Sequence, residues 1–356
     1  MSRVPIPSDF FKRSAEKDEP SYNIGAMMGH RTTKGDVGLE IEVEGNKFPK
    51  GSPYGTEKDE KLIPKQWKYT PDGSLRGQDN AEYILARPIK FSEVDKALDD
   101  LWKMFKDYGS KLDDSNRTSV HVHLNAQGWH LNRLTSFLAL YFSVEELLTE
   151  WCGEHRVGNL FCLRSKDATN IVAQIRDFIA SDGKDLPSQG MHYAGLNCHS
   201  LTKFGSIEVR SLRGATDPET IKTWVSILQR IYEISGDYTD PRLVVEGFSG
   251  AGPLDYLNTV LGPHTNTIVQ GSGFDHQQVM ASVYEGIRLA QDLCYCRDWS
   301  KFNPEKVKMD PFGRRIKKKT TLNEQPTNFN EYMQYLEEAQ QAIATPVPQH
   351  EGDDIW

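Results

Sequence analysis

The 356-residue chain has no apolar run of the roughly 20 residues that a bilayer-spanning helix needs, so a membrane protein built on helices is not expected. Its first residues, Met1-Ser2-Arg3-Val4-Pro5, lack the apolar core of a secretory signal. Cysteine is scarce: five residues, an odd number with no regular framework, exclude a disulfide scaffold and point to a reducing cytoplasm. Cys294-Tyr295-Cys296 is too tightly spaced for a zinc knuckle and has no second cysteine pair nearby. Positive charge is in deficit as well, with 42 Lys+Arg against 50 Asp+Glu and a formal net charge of −8, which argues against general nucleic-acid binding. One basic run, Arg314-Arg315-Ile316-Lys317-Lys318-Lys319, reads as a solvated loop. The glycine clusters at 247–252 and 271–273 have no lysine in phosphate-loop register and read as turns. There is no internal repeat.

What is present fits a folded globular protein: 38% hydrophobic and 26% charged residues. Residues 1–36, punctuated by Pro5, Pro7 and Pro20, read as an arm without periodicity. Strands are expected at 37–44, 67–70 and 81–86, then at the His-x-His segment, 192–198 and 206–212. Pro71-Asp72-Gly73-Ser74 is a turn signal, and Arg87-Pro88 closes the strand before it. Helical spacing begins at Ser92, with Val94, Leu98, Leu101, Met104 and Phe105 as the apolar stripe. Further helices are expected over 134–151, 168–181, 219–234, 276–298 and 330–344. The chain thus divides into an arm (1–36), a mixed domain (37–235) and a mostly helical region (236–356) packed on that domain and ending in a flexible acidic tail.

The chemistry lies on four strands. Side chains alternate along a strand, so Glu40, Glu42 and Glu44 share one face while Leu39, Ile41 and Val43 share the other. Carboxylates at about 6–7 Å spacing repel unless cations lie between them. Glu82, the pair His121 and His123, and the pair Glu208 and Arg210 extend the pattern. Oxygen donors outnumber imidazoles, which favours Mg²⁺ or Mn²⁺ over zinc. Arg210 and the nearby Arg213 add donors for phosphate or carboxylate, so the implied ligand is ATP with magnesium.

Taken in order, these segments resemble the amidoligase family, a branch of the carboxylate-amine ligases that share the glutamine synthetase and glutamate-cysteine ligase fold. The matching pieces are Gly38-Leu39-Glu40-Ile41-Glu42, Asp72-Gly73-Ser74-Leu75 leading to Glu82 and Arg87-Pro88, and His121-Val122-His123. They continue with Arg156-Val157-Gly158-Asn159, Tyr193-Ala194-Gly195-Leu196-Asn197, Ser206-Ile207-Glu208-Val209-Arg210, Arg213-Gly214-Ala215-Thr216 and a helix carrying Trp224. The resemblance spans roughly residues 37–232. It implies an α+β fold in which a curved antiparallel sheet of about six strands forms a funnel with helices on its outer face. ATP would enter one end and the carboxylate and amine substrates, small molecules or peptides, the other.

Position by position, the resemblance makes Glu40, Glu42, Glu82, His123 and Glu208 metal ligands. It places Arg210 and Arg213 in catalytic contact with phosphate or substrate carboxylate. Arg156, Asn159, Tyr193 and Asn197 fall where the family contacts substrate or nucleotide, and His121 would orient a ligand from outside. Glu44 either extends the row or sits at its rim. Two departures stand out: His192 replaces a commoner basic residue, and Ser206-Ile207 stands where threonine is common. The implied reaction activates a carboxylate as an acyl phosphate, which an amine then attacks. Two other readings stay open at this point: a metal-dependent hydrolase on the same floor, and a non-catalytic assembly protein using the arm or the C-terminal region as an oligomer or partner contact.

Overall fold

Alternating apolar residues set the sheet. Leu39, Ile41 and Val43, Ala81, Tyr83 and Leu85, Val120, Val122 and Leu124, and Ile207 and Val209 are all buried on one face. In the computed structural model, which describes residues 23–30, 33–52, 54–76 and 79–299, they lie on strands β1 (Val37–Asn46), β3 (Asn80–Leu85), β5 (Ser119–Asn125) and β7 (Ser206–Arg213). Shorter strands are β2 (Trp67–Thr70), β4 (Lys111–Leu112) and β6 (Leu196–Asn197). The order is β2-β3-β1-β5-β7-β6, with β4 pairing the end of β1, and every pairing is antiparallel. The sheet is open, with β2 and β6 as its edges. It has seven strands rather than about six; β4 is two residues long and carries no period that a sequence could reveal.

Eight longer helices complete the described architecture: α1 (Val94–Tyr108), α2 (Leu131–Trp151), α3 (Thr169–Ala180), α4 (Pro218–Ile234), α5 (Arg242–Ala251), α6 (Pro253–Leu261), α7 (Thr265–Gly271) and α8 (His276–Cys294). The stripe of α1 is buried as expected, and the Phe105 ring meets Tyr83 of β3 edge-on at 5.3 Å. Asp217 caps α4 by accepting from the Thr220 N–H, with Pro218 in the first turn. Tyr141 of α2 reaches β7 through a 3.1 Å hydrogen bond with Ser211. The other side of α2 is covered by α8, which explains why α2 is apolar nearly all round. Gly286 makes that approach possible, since a Cβ there would lie 2.4 Å from the Phe142 carbonyl oxygen.

Three expectations need correction. Gly247 and Gly250 lie inside α5, and only Gly252, at φ 80°, makes the turn. The strand expected over 192–198 shrinks to Leu196–Asn197, because residues Gln189–Tyr193 form a 3₁₀ turn. Within the expected arm, Ile24–Met28 form a short helix capped by Asn23, with Ile24 and Met27 buried. By compactness the chain falls into two units, Met1–Arg314 and Arg315–Trp356, and the described residues belong to the first. The basic run at 314–319, the helix expected over 330–344 and the acidic tail lie outside the described residues. Among the described residues no helix is long and apolar enough to cross a membrane.

Candidate active site

The sheet face opposite the core carries the polar half of each strand, and the register places those residues side by side. Glu42 lies opposite Glu82, Glu40 opposite His121, and His123 opposite Glu208. They line a cleft of about 810 Å³. Their donor atoms form two triads, Glu40–His123–Glu208 and Glu42–Asp72–Glu82, and within each the atoms lie within 4.8 Å of one another. All five residues expected as metal ligands are therefore brought together, in two groups rather than one. Asp72 is the ligand candidate that sequence reasoning missed. Its Asp-Gly-Ser setting reads as a turn, and the carboxylate does accept from the Ser74 N–H at 2.7 Å, but the same turn aims it at Glu42 and Glu82.

Hydrogen bonds fix both groups. The Glu42 carboxylate accepts from the Ser119 N–H and Oγ, each at 2.8 Å. Ser119 Oγ lies 2.8 Å from His121 Nε2, and His121 Nδ1 lies 3.0 Å from Glu40. His123 holds the other Glu40 oxygen through Nε2 at 3.1 Å, while its Nδ1 faces Ser206 Oγ at 3.2 Å. One continuous chain thus joins the two triads through His121. Ser119, His121 and Glu40 fall in line like an acyl-transfer relay, yet Ser119 is buried and engages Glu42 through both its amide and its hydroxyl. The line binds the floor together. Asn197 donates to Glu208 at 2.6 Å, and Arg210 Nη1 donates to its other oxygen at 2.5 Å.

These surroundings divide the carboxylates. Burial works against ionising Glu40, but hydrogen bonds and charge from His121 and His123 hold it well below the ordinary range. Burial likewise opposes ionisation of Glu208, and the charges of His123, Arg210 and His121 outweigh it and lower the value. In the second triad the opposing charges, His121 at 3.9 Å from Glu42 and Arg210 acting on Glu82, do not offset burial. Burial pushes Glu42 up, and burial together with the charges of Glu40, Glu42 and Asp72 pushes Glu82 up to about 8. Five of the six triad donors are carboxylates, crowded enough to retain a proton, and this is a set that hard divalent cations fit.

A bulge in β7 sets the basic side. Val120 pairs with Leu212 and Val122 with Val209, so His121 alone faces both Arg210 and Ser211. The extra residue shifts the alternation: Leu212 turns into the core and Arg213 turns out. Arg210 stays in the cleft. Arg156 lines the cleft too, but its buried guanidinium is spent on β7, with Nε donating to the Ser211 carbonyl at 3.0 Å and Nη2 to that of Arg210. Arg213 does not line the cleft; it lies 3.6 Å from Asp114 and against Gly153. Asn159 and Tyr193 line the cleft, Asn159 accepting from the Phe161 N–H at 2.9 Å. His192 also faces in, its pKa lowered by burial and by Arg210. Glu44 is outside the cleft, accepting from the Arg76 N–H and from Ser115 Oγ, so it anchors two loops.

No curated protein matches the chain. A family model described as "Putative amidoligase enzyme" matches residues 31–232, the stretch that carries every strand and every residue of the cleft described above. Because this match covers more than half of the chain, the protein belongs to that amidoligase family.

Proposed function

We propose that the protein is an ATP-dependent ligase that joins a carboxylate to an amine, by way of an acyl phosphate, on a sheet of the glutamine synthetase funnel type. The observation that carries this reading is the pair of triads built on one strand, with Arg210 beside Glu208. Glu40, His123 and Glu208 would hold one divalent cation, and Glu42, Asp72 and Glu82 a second. Bound there, Mg²⁺ or Mn²⁺ supplies Lewis-acid stabilisation of charge on transferring phosphoryl oxygens.

The chain's own groups do the positioning. Asn197 and Arg210 orient Glu208, while His121 and His123 orient Glu40. The Arg210 guanidinium gives one N–H to Glu208 and another to the Phe161 carbonyl, and it keeps further donors at the wall of the cleft where phosphoryl charge would develop. A carboxylate floor with Arg210 at its edge suits a reaction that moves an anionic group between two anionic substrates. A hydrolase built on clustered histidines fits less well, since each triad holds at most one.

The test is ADP release by the full chain with Mg²⁺ and ATP over a panel of amino acids, polyamines and peptides. Release that depends on an amine and disappears in Glu40→Gln and Glu208→Gln supports the ligase. Cleavage of an ester or amide without nucleotide, or no nucleotide binding at all, refutes it.

A further inference from the structure

Beside the catalytic cleft lies a second cavity of about 430 Å³ whose lining includes no charged side chain. Ile171 and Met191 form its buried part. Leu160, Phe161 and Tyr193 line both this groove and the cleft. Those three are unusually open for large apolar residues, at 73%, 58% and 48% exposure, and together they make a shelf from the mouth of the cleft into the groove.

The shelf is a built feature. Asn159 accepts from the Phe161 N–H, and the Phe161 carbonyl accepts from Arg210 Nε at 3.4 Å, so the shelf is tied directly to the arginine on the cleft floor. Behind it, the Leu163 N–H donates to the Tyr193 carbonyl at 2.9 Å and the Gly195 N–H to the Leu163 carbonyl at 2.8 Å. The Phe161 and Tyr193 rings lie 6.0 Å apart. The groove is mostly apolar, with the amides of Asn170 and Gln174 but no cation, so it gives a triphosphate or an acidic side chain no charge to pair with, and burying an apolar group there removes exposed surface from both partners.

Resting on the ligase reading above, we infer that the groove is a specificity subsite and that one of the two joined substrates carries an aliphatic or aromatic group next to its reacting carboxylate or amine. Small polar substrates would leave this shelf in water. Apolar amino acids, or peptides with an apolar residue beside the reacting end, cover it.

The experiment measures equilibrium binding to the full chain with Mg²⁺ and a non-hydrolysable ATP analogue. The probes are N-acetyl-phenylalanine against N-acetyl-glycine for the carboxylate partner, and phenylalanine amide against glycine amide for the amine partner. In one of the two pairs the phenylalanine probe should bind about 10- to 100-fold more tightly. That preference should fall to about threefold or less in Phe161→Ala and in Leu160→Ser, two exposed positions whose truncation leaves the core intact. Equal binding within both pairs, or no binding by any probe, overturns the inference even if ADP release stands. A loss of affinity for the ATP analogue in these variants, with the probe preference kept, makes the shelf a nucleobase slot and overturns it too. An apolar preference without ADP release on any substrate pair keeps the groove and sinks the ligase.

Discussion

On the two-cation assignment proposed above, Asp72→Asn should leave the protein a single cation site. The donor atoms of Glu42, Asp72 and Glu82 lie within 4.8 Å of one another. Two unit charges at that distance repel by about 3.5 kcal/mol at an effective dielectric near 20, so three ionised carboxylates with nothing between them cost about 10 kcal/mol. Burial, then the charge of Glu40 and this crowding by Glu42 and Asp72, push Glu82 up to about 8. A cation entering the triad would replace that proton and relieve the repulsion. With Asp72 neutral, two of the three repelling pairs and one of the three anionic ligands are gone, and only the Glu42–Glu82 pair is left to be relieved. Partners outside a metal's own ligand set commonly change affinity 10- to 100-fold, so loss of a ligand should raise Kd for this triad by at least about 100-fold. Asparagine keeps an oxygen for the Ser74 N–H, and the turn should survive. The assay is a Mn²⁺ titration of metal-stripped protein, followed by calorimetry or by the signal of free Mn²⁺. Two equivalents should bind to the native chain and one to the variant, with Glu208→Gln removing the other. A native stoichiometry of one, or an unchanged second equivalent in Asp72→Asn, would refute the two-triad assignment.

Three further outcomes can be measured. Burial pushes Glu145 up to about 7 against the hydrogen bonds it accepts from Ser165, and because the folded value is the higher one, its contribution is complete below 4.5 and lost as pH rises through 7. Stability should fall by on the order of 3 kcal/mol between pH 5 and pH 8, and urea titrations of Glu145→Gln should show a flatter profile; parallel profiles would contradict this. Gly286→Ala should lower the melting temperature by several degrees, a cost of about 1–3 kcal/mol, because the new methyl would meet Ser143 Cα at 2.7 Å as well as the Phe142 carbonyl; an unchanged Tm would show that α8 can slide. Arg156→Ala should cost about 2–3 kcal/mol in urea unfolding, since it strips hydrogen bonds from the buried backbone of Arg210 and Ser211. Arg156→Lys should recover only part of that, and full recovery would mean that charge rather than the fork geometry matters.

The strands were legible because alternation is a local property: once Leu39, Ile41 and Val43 are assigned to the core, Glu40 and Glu42 have only one other face to occupy. The start of α4 was legible for the same reason, from Asp217 and Pro218. What escaped depended on contacts between distant segments. Asp72 looks like any Asp-Gly turn until β1 and β3 bring Glu42 and Glu82 beside it. Arg156 reads as a ligand contact because its sequence does not show that β7 bulges and needs its carbonyls held. The same bulge hides where Arg213 lies: alternation counted from Glu208 would put it on the core face, the extra residue turns it outward again, and there it sits against Asp114 and Gly153 rather than in the cleft. Helix α5 was obscured by Gly247 and Gly250, whose unfavourable propensity is overridden by burial of Leu243, Val244 and Phe248.

The two triads are spaced by the covalent chain itself. Glu40 serves one and Glu42 the other, and a strand advances about 6–7 Å over two residues whatever the loops around it do. β1 also sits in mid-sheet, clasped by β3 on one side and β5 on the other, so this ruler cannot stretch without breaking two ladders at once. On the reading proposed above, substrates of different size would be accommodated by rim segments such as the one bearing Leu160 and Phe161, not by the turn that carries Asp72. For an engineer the division is useful: the rim can be redrawn to change what is joined, while a change of register in β1 would uncouple the two halves of the site.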